Sequence, residues 1–92
     1  MDYQWNKEKA DLNRLRHGID FADAVGVLED EWALTVEEQY IDDEERFVTL
    51  GMDFLGRILV VVWTYRGTDI RLISARSATK KERKIYERER RI

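Results

Sequence analysis

The sequence predicts an α+β fold in which two N-terminal helices and a basic C-terminal helix cover an antiparallel β-sheet meander, and three observations carry that reading. Phe21, Ala24, Val25 and Leu28 fall at i, i+3, i+4 and i+7, the period of a helix with one buried face. Residues 46–52 alternate, and residues 57–65, RILVVVWTY, are apolar on both faces and rich in β-branched and aromatic side chains, as a central strand requires. Thr79 and Glu82 form a T-x-x-E capping box ahead of KKERKIYERERRI, which opens a closing helix.

Each element follows in order. Tyr3 to Trp5 reads as a short strand, Asn6 as a helix N-cap, and the first helix runs to about Arg16 with Ala10, Leu12 and Leu15 as its apolar positions. Gly18 supplies the left-handed residue that ends it. Asp20 caps the second helix, with Ile19 placed to staple against Ala24. Glu29 to Glu45 holds nine acids and no base around the apolar run Trp32 to Val36, which reads as an edge strand between charged loops. Asp53 to Gly56 is a turn, Arg66-Gly67-Thr68-Asp69 the next, and Ile70 to Arg76 the last strand. The final helix has Ile85, Tyr86 and Ile92 as apolar anchors and a face of Arg and Lys. No repeat, linker or proline interrupts the chain, so residues 1–92 are expected to form a single domain.

Composition bounds the chemistry. With 43% apolar and 38% charged residues the chain can fold, around a core that is modest at 92 residues. No stretch has the length of a membrane span and the N-terminus lacks an apolar signal core, so a cytoplasmic protein without membrane attachment is expected. Zero cysteines exclude disulfides, thiolate zinc sites and a cysteine nucleophile, and a single histidine excludes a multi-histidine metal site. Any reaction is therefore expected to need neither metal nor cofactor. The net charge of −3 hides two unlike parts: six Lys/Arg against fifteen acids up to Tyr65, and ten against four from Arg66 onward. A local positive field of that kind attracts a polyanion, and nucleic acid is the first partner to consider.

The candidate residues are few. His17 belongs to the one side-chain type that ordinarily titrates near neutrality, which suits a general acid or base. A histidine in the last turn before a C′ glycine also complements the helix dipole and the free carbonyls, with no ligand involved. Arg66, Arg71 and Arg76 recur at intervals of five, and an odd interval points Arg71 and Arg76 to opposite faces of a regular strand unless a bulge intervenes. Arg76 precedes the N-terminus of the last helix, where a guanidinium and backbone amides can hold a phosphate; the alternative is solvated strand-edge charge. Tyr86 neighbours the anchor Ile85, so packing is set against base stacking or proton transfer. Lys80, Arg83 and the other cations of the last helix are weak signals singly and stronger as a cluster. Acid pairs such as Asp42-Asp43 and Glu44-Glu45 can in principle bind a divalent ion but are expected to face solvent or meet a basic partner, and nucleotide-binding, nucleophile-elbow and zinc motifs are absent from the sequence.

Three segments, taken in order, resemble the BrnT toxin family. Asp2 to Gly18, DYQWNKEKADLNRLRHG, resembles its opening pattern, Glu45-Arg46-Phe47 its E-R-F, and Arg71 to Tyr86, RLISARSATKKERKIY, its closing R-x-I-S-A-R-x-A-x-x-x-E-x-x-x-Y. One position departs from the pattern: Arg16 stands where a lysine is expected, which keeps the charge but changes the geometry and supplies no transferable proton. The resemblance implies a RelE-like fold and a ribonuclease toxin of a type II toxin–antitoxin system, neutralised by a BrnA-type antitoxin that also mediates binding to operator DNA. It carries over His17, Arg46, Arg66, Arg71, Arg76 and Tyr86 as site residues, Arg66 on the loosest match. With these, RNA cleavage without metal is expected to use His17, Arg76 and Tyr86 in catalysis and Arg46, Arg66, Arg71, Lys80 and Arg83 in substrate binding, in one cavity. The alternative is a non-catalytic nucleic-acid-binding module or repressor-complex scaffold, and a ribosome-dependent nuclease is a third reading.

Overall fold

The computed structural model describes residues 1–90 and realises the predicted element order: β1 (Tyr3–Gln4), α1 (Lys7–His17), α2 (Phe21–Glu29), β2 (Leu34–Ile41), β3 (Glu44–Met52), β4 (Ile58–Arg66), β5 (Asp69–Ser77) and α3 (Lys80–Arg90). Strands β2 to β5 form the antiparallel meander, and β1 adds a short parallel pairing to β5, giving the order β1-β5-β4-β3-β2. The Ile92 anchor expected for the last helix lies outside the described residues. Among those described, no helix is long and apolar enough to cross a membrane.

β4 is central and covered on both faces, which is why its sequence shows no alternation. On one face Leu59, Val61 and Trp63 meet Ile19, Phe21, Ala24 and Val27 from α2 and its approach. On the other, Val60 packs with Val48, Leu50 and the Tyr86 ring of α3. The two helix pairings thus sandwich one sheet, with α2 and α3 on opposite sides.

Local rules set the helix ends. The Asn6 side chain accepts the Lys9 amide at 3.0 Å, and Gly18 ends α1 in the left-handed region at φ 69°. Asp20 occupies the N-cap position of α2 but makes no side-chain cap; its carboxylate takes Arg14 at 3.3 Å instead. The capping box of α3 is reciprocal, Thr79 N donating to Glu82 Oε1 at 2.8 Å and Glu82 N to Thr79 Oγ1 at 3.2 Å. Arg76 grips the same carboxylate with both terminal nitrogens, at 2.8 and 3.1 Å. That guanidinium, with the Thr79 amide, lowers Glu82 from 4.5 to about 2. A lowered acid stabilises the fold above its unfolded value, so Glu82→Gln is expected to cost about 1 kcal/mol at neutral pH, a difference that fades in thermal melts as pH falls from 4.5 towards 2.

Two expectations are corrected. Leu12 and Leu15 are 44% and 84% exposed, whereas Asn13, 6% exposed, faces inward. The reason is position: α1 lies along the edge of β5 and meets the protein through a narrow stripe, with Ala10 against the core and Asn13 against the strand backbone. The acidic stretch was expected to hold a short strand at Trp32 to Val36, and instead β2 continues to Ile41. An edge strand with solvent on both sides needs no apolar alternation, so Glu37 and Glu38 sit within it, exposed.

Candidate functional site

Residues opposite each other in a sheet share a face, so the register locates the arginines. Arg76 pairs with Val60 and Arg71 with Thr64, and Val60 and Thr64 point the same way along β4. Between them Ser74 pairs with Val62 and Leu72 with Trp63, which leaves Ile73 as an extra residue. This bulge cancels the odd spacing and turns Arg71 and Arg76 to one face, the face that also carries α3. Arg46, Val48 and Leu50 alternate along β3, and Val48 and Leu50 pack on Tyr86, so Arg46 shares that face too.

Beyond the end of α3 this face is open. Arg46, Arg66 and Arg71 line one recess of about 110 Å³ together with Lys9 and Asn6 from the start of α1. His17 and Arg16, from the other end of α1, line a second recess of about 230 Å³ with Leu12, Asn13 and Ser74. Lys9 and Ile73 belong to both walls, so the two recesses are neighbours in a groove along the seam of α1 and β5. Its charged lining is cationic but for one residue. Glu44 is the exception, its carboxylate 3.2 Å from Arg46 Nε and paired with Arg66 as well.

Asn13 holds the seam shut. Beyond the two residues that β1 pairs, the outer edge of β5 has no strand neighbour, and the Asn13 carboxamide substitutes for one. Its Nδ2 donates to the Ala75 carbonyl at 2.9 Å and its Oδ1 accepts the Ala75 amide at 3.0 Å. The same Nδ2 donates to the Ile19 carbonyl at 3.1 Å, which fixes the turn after His17. One side chain therefore sets the position of α1, and with it the imidazole, relative to the arginine face.

The structure does not gather every expected residue. Tyr86 is 1% exposed, packed beneath α3, and its hydroxyl donates to Asp30 Oδ2 at 2.6 Å. Burial and the Asp30 carboxylate push its pKa up to about 12, the wrong direction for a base. Asp30 also accepts the Met52 and Trp32 amides, so the pair ties the end of α2 to β3 and α3. The single cavity of imidazole, guanidinium and phenol is thus not formed: the phenol lies inside the layer between α3 and the sheet. Arg76 shares the arginine face but spends its fork on Glu82. Arg83 lines a separate recess with Arg57 and Ser77, and Lys80 is an exposed residue at the start of α3.

Lys9, Asn13 and Ser74 were not singled out by sequence reasoning, and Glu44, expected to face solvent or meet a basic partner, meets two. Asn13 alone left a trace, a polar residue three places after the half-buried Ala10 on a helix with few apolar positions.

Removing the Tyr86 hydroxyl separates packing from chemistry. Tyr86→Phe is expected to cost roughly 1.5 kcal/mol, the value of a buried hydrogen bond to a charged group. A raised tyrosine stabilises the fold fully below its unfolded pKa, so the wild-type advantage in melts should hold to about pH 10 and vanish as pH rises to about 12.

The family model described as "Ribonuclease toxin, BrnT, of type II toxin-antitoxin system" matches residues 5–82. Among solved structures the fold is similar to the crystal structure of the Brucella abortus ribonuclease toxin, BrnT, with a TM-score of 0.66 and 26% sequence identity over 87% of this chain and 99% of that one. The comparison with curated proteins gave no match.

Proposed function

This chain belongs to the BrnT family of ribonuclease toxins of type II toxin–antitoxin systems, and on that premise we propose that it cleaves RNA in the groove between α1 and β5 without a metal ion. The observation that carries the reading is the meeting, through Lys9 and Ile73, of a three-arginine recess with the recess of the chain's only histidine. A ribose-phosphate link needs that combination: cations for the phosphate and a proton acceptor beside the 2′-hydroxyl.

In this mechanism Arg46, Arg66 and Arg71 hold the scissile phosphate and balance the charge that builds on its oxygens. His17 takes the 2′-hydroxyl proton, the 2′-oxygen attacks phosphorus in line, and the bond to the 5′-oxygen breaks to leave a 2′,3′-cyclic phosphate. The departing 5′-oxygen takes up a proton. A guanidinium does not release one, so among the groove cations Lys9 is assigned as donor. Metal independence draws on the groups present, with Arg46, Arg66 and Arg71 able to supply the counter-charge and His17 the proton acceptor.

The test is cleavage of single-stranded RNA by purified protein in EDTA. His17→Ala is expected to lose about 100-fold in rate, the lower range for a general base, and Arg71→Ala at least about tenfold. Tyr86→Phe should cut within about threefold of wild type once its stability loss is allowed for. Full activity in His17→Ala removes the assignment, and an absolute need for Mg²⁺ removes the mechanism. The family implies an antitoxin partner. We assign that role to a BrnA-type protein that occludes the groove and links the complex to operator DNA, to be tested by co-expression and sedimentation of the pair.

A further inference from the structure

The β2–β3 hairpin delivers one carboxylate into the arginine recess, and it does so through a demanding turn. Ile41 pairs with Glu44 across a two-residue loop in which Asp42 and Asp43 both have positive φ, 50° and 62°. Positive φ at both central residues is the type I′ arrangement, whose twist suits a hairpin and whose geometry fixes the register of the strands behind it. A slip of one residue would exchange Glu44 and Glu45 between faces. As built, Glu45 faces the α2 side, where it accepts the Tyr40 hydroxyl at 3.0 Å, and Glu44 faces the arginines.

Oε2 accepts from Arg46 and Oε1 from Arg66, and among the described residues Glu44 makes no ion pair with Arg71. The Arg66 guanidinium, and then that of Arg46, hold its carboxyl below the usual carboxylate range, which favours the charged form that pairs with them. A carboxylate with two guanidinium partners occupies the position a phosphate would take.

We propose that Glu44 is an internal competitor for RNA phosphate: it occupies Arg46 and Arg66 in the free protein, leaves Arg71 as the first guanidinium of that recess to meet RNA, and so sets how tightly the groove holds its substrate. This rests on the reading of the groove as the RNA site. A phosphate entering the recess displaces the carboxylate from one or both guanidinium groups, and the affinity observed is that of the exchange.

The experiment measures binding of a short, non-cleavable 2′-O-methyl oligoribonucleotide to wild type, Glu44→Gln, Glu45→Gln and Arg71→Ala across a salt series. Glu45→Gln changes net charge equally on the opposite face, so it measures the general electrostatic effect. Glu44→Gln is expected to bind roughly tenfold more tightly, with a salt dependence steeper by roughly one unit of slope, and Glu45→Gln to stay within about twofold of wild type. The glutamine amide oxygen can still accept from Arg66, which preserves the hairpin, and Glu44→Ser, lacking that acceptor, is read the same way. Binding by Glu44→Gln no tighter than by Glu45→Gln, with Arg71→Ala weakened, overturns the competitor and leaves the groove standing. Indifference of the RNA to both Glu44→Gln and Arg71→Ala overturns the groove itself.

Discussion

Asn13→Leu is expected to lower the free energy of unfolding by about 4 kcal/mol, three buried groups losing their partners at between 1 and 3 kcal/mol each with some relief from relaxation. Leucine matches asparagine closely in volume, so packing is kept and hydrogen bonding is isolated as the variable. The Ala75 amide, the Ala75 carbonyl and the Ile19 carbonyl would face an apolar side chain. β5 would also regain an open edge beside an exposed strand backbone, a template for pairing with another chain. The melting temperature should fall by roughly 20 °C for a domain of this size, with a concentration-dependent loss of soluble protein. Asn13→Asp sharpens the test: it retains the acceptor for the Ala75 amide but places carboxylate oxygens against two carbonyls. It should be nearly as damaging at neutral pH and recover in part on acidification, when the acid can donate. A loss below about 1 kcal/mol in Asn13→Leu would show that α1 is held by something other than this carboxamide.

The same residue marks how far the sequence could be read. Element order was legible because it rests on signals a few residues long: the i, i+3, i+4, i+7 stripe of α2, the doubly apolar β4, the reciprocal Thr79–Glu82 cap. Which elements touch was not. α1 carries three apolar residues, and the structure half-buries the least conspicuous of them, Ala10, while leaving Leu15 84% exposed, because a helix beside a strand edge is held by backbone pairing and not by area. The arginine face was illegible for a related reason. A five-residue interval separates Arg71 from Arg76, and only the bulge at Ile73, a property of the pairing with β4, decides that they point together. Nothing local to α3 states which side of the sheet it covers, so Tyr86 could be named as an anchor but not placed relative to His17. Sequence patterns report the environment of each element. The site is a property of how the elements are assembled.

Gly26→Ala is the second large effect, and it acts through one methyl group. A Cβ at position 26 of α2 would stand 2.4 Å from the Phe54 amide nitrogen and 2.8 Å from the Asp53 carbonyl carbon, both backbone atoms of the β3–β4 turn. Backbone cannot step aside as a flexible side chain would, so the turn must lift from the helix. That turn is anchored at several points. Phe54 N donates to the Asp23 carbonyl at 3.2 Å, and the fully buried Asp53 carboxylate accepts the Leu55 and Arg57 amides and Arg57 Nε at 3.0, 2.8 and 2.9 Å. Lifting it by the distance a methyl group needs breaks the first contact and exposes the second to water. We expect a loss of about 3 kcal/mol, the upper range for overpacking, even though alanine is the better helix former by about 1 kcal/mol and would stabilise an isolated α2. Gly56→Ala in the same turn provides the contrast. Its added Cβ meets nothing within 4 Å, but φ is +80°, so only the left-handed backbone penalty of roughly 1 kcal/mol applies. Urea titrations of the two variants should therefore separate steric from conformational cost at one helix–turn contact, and equal losses would mean that the helix and turn do not approach as closely as this packing requires.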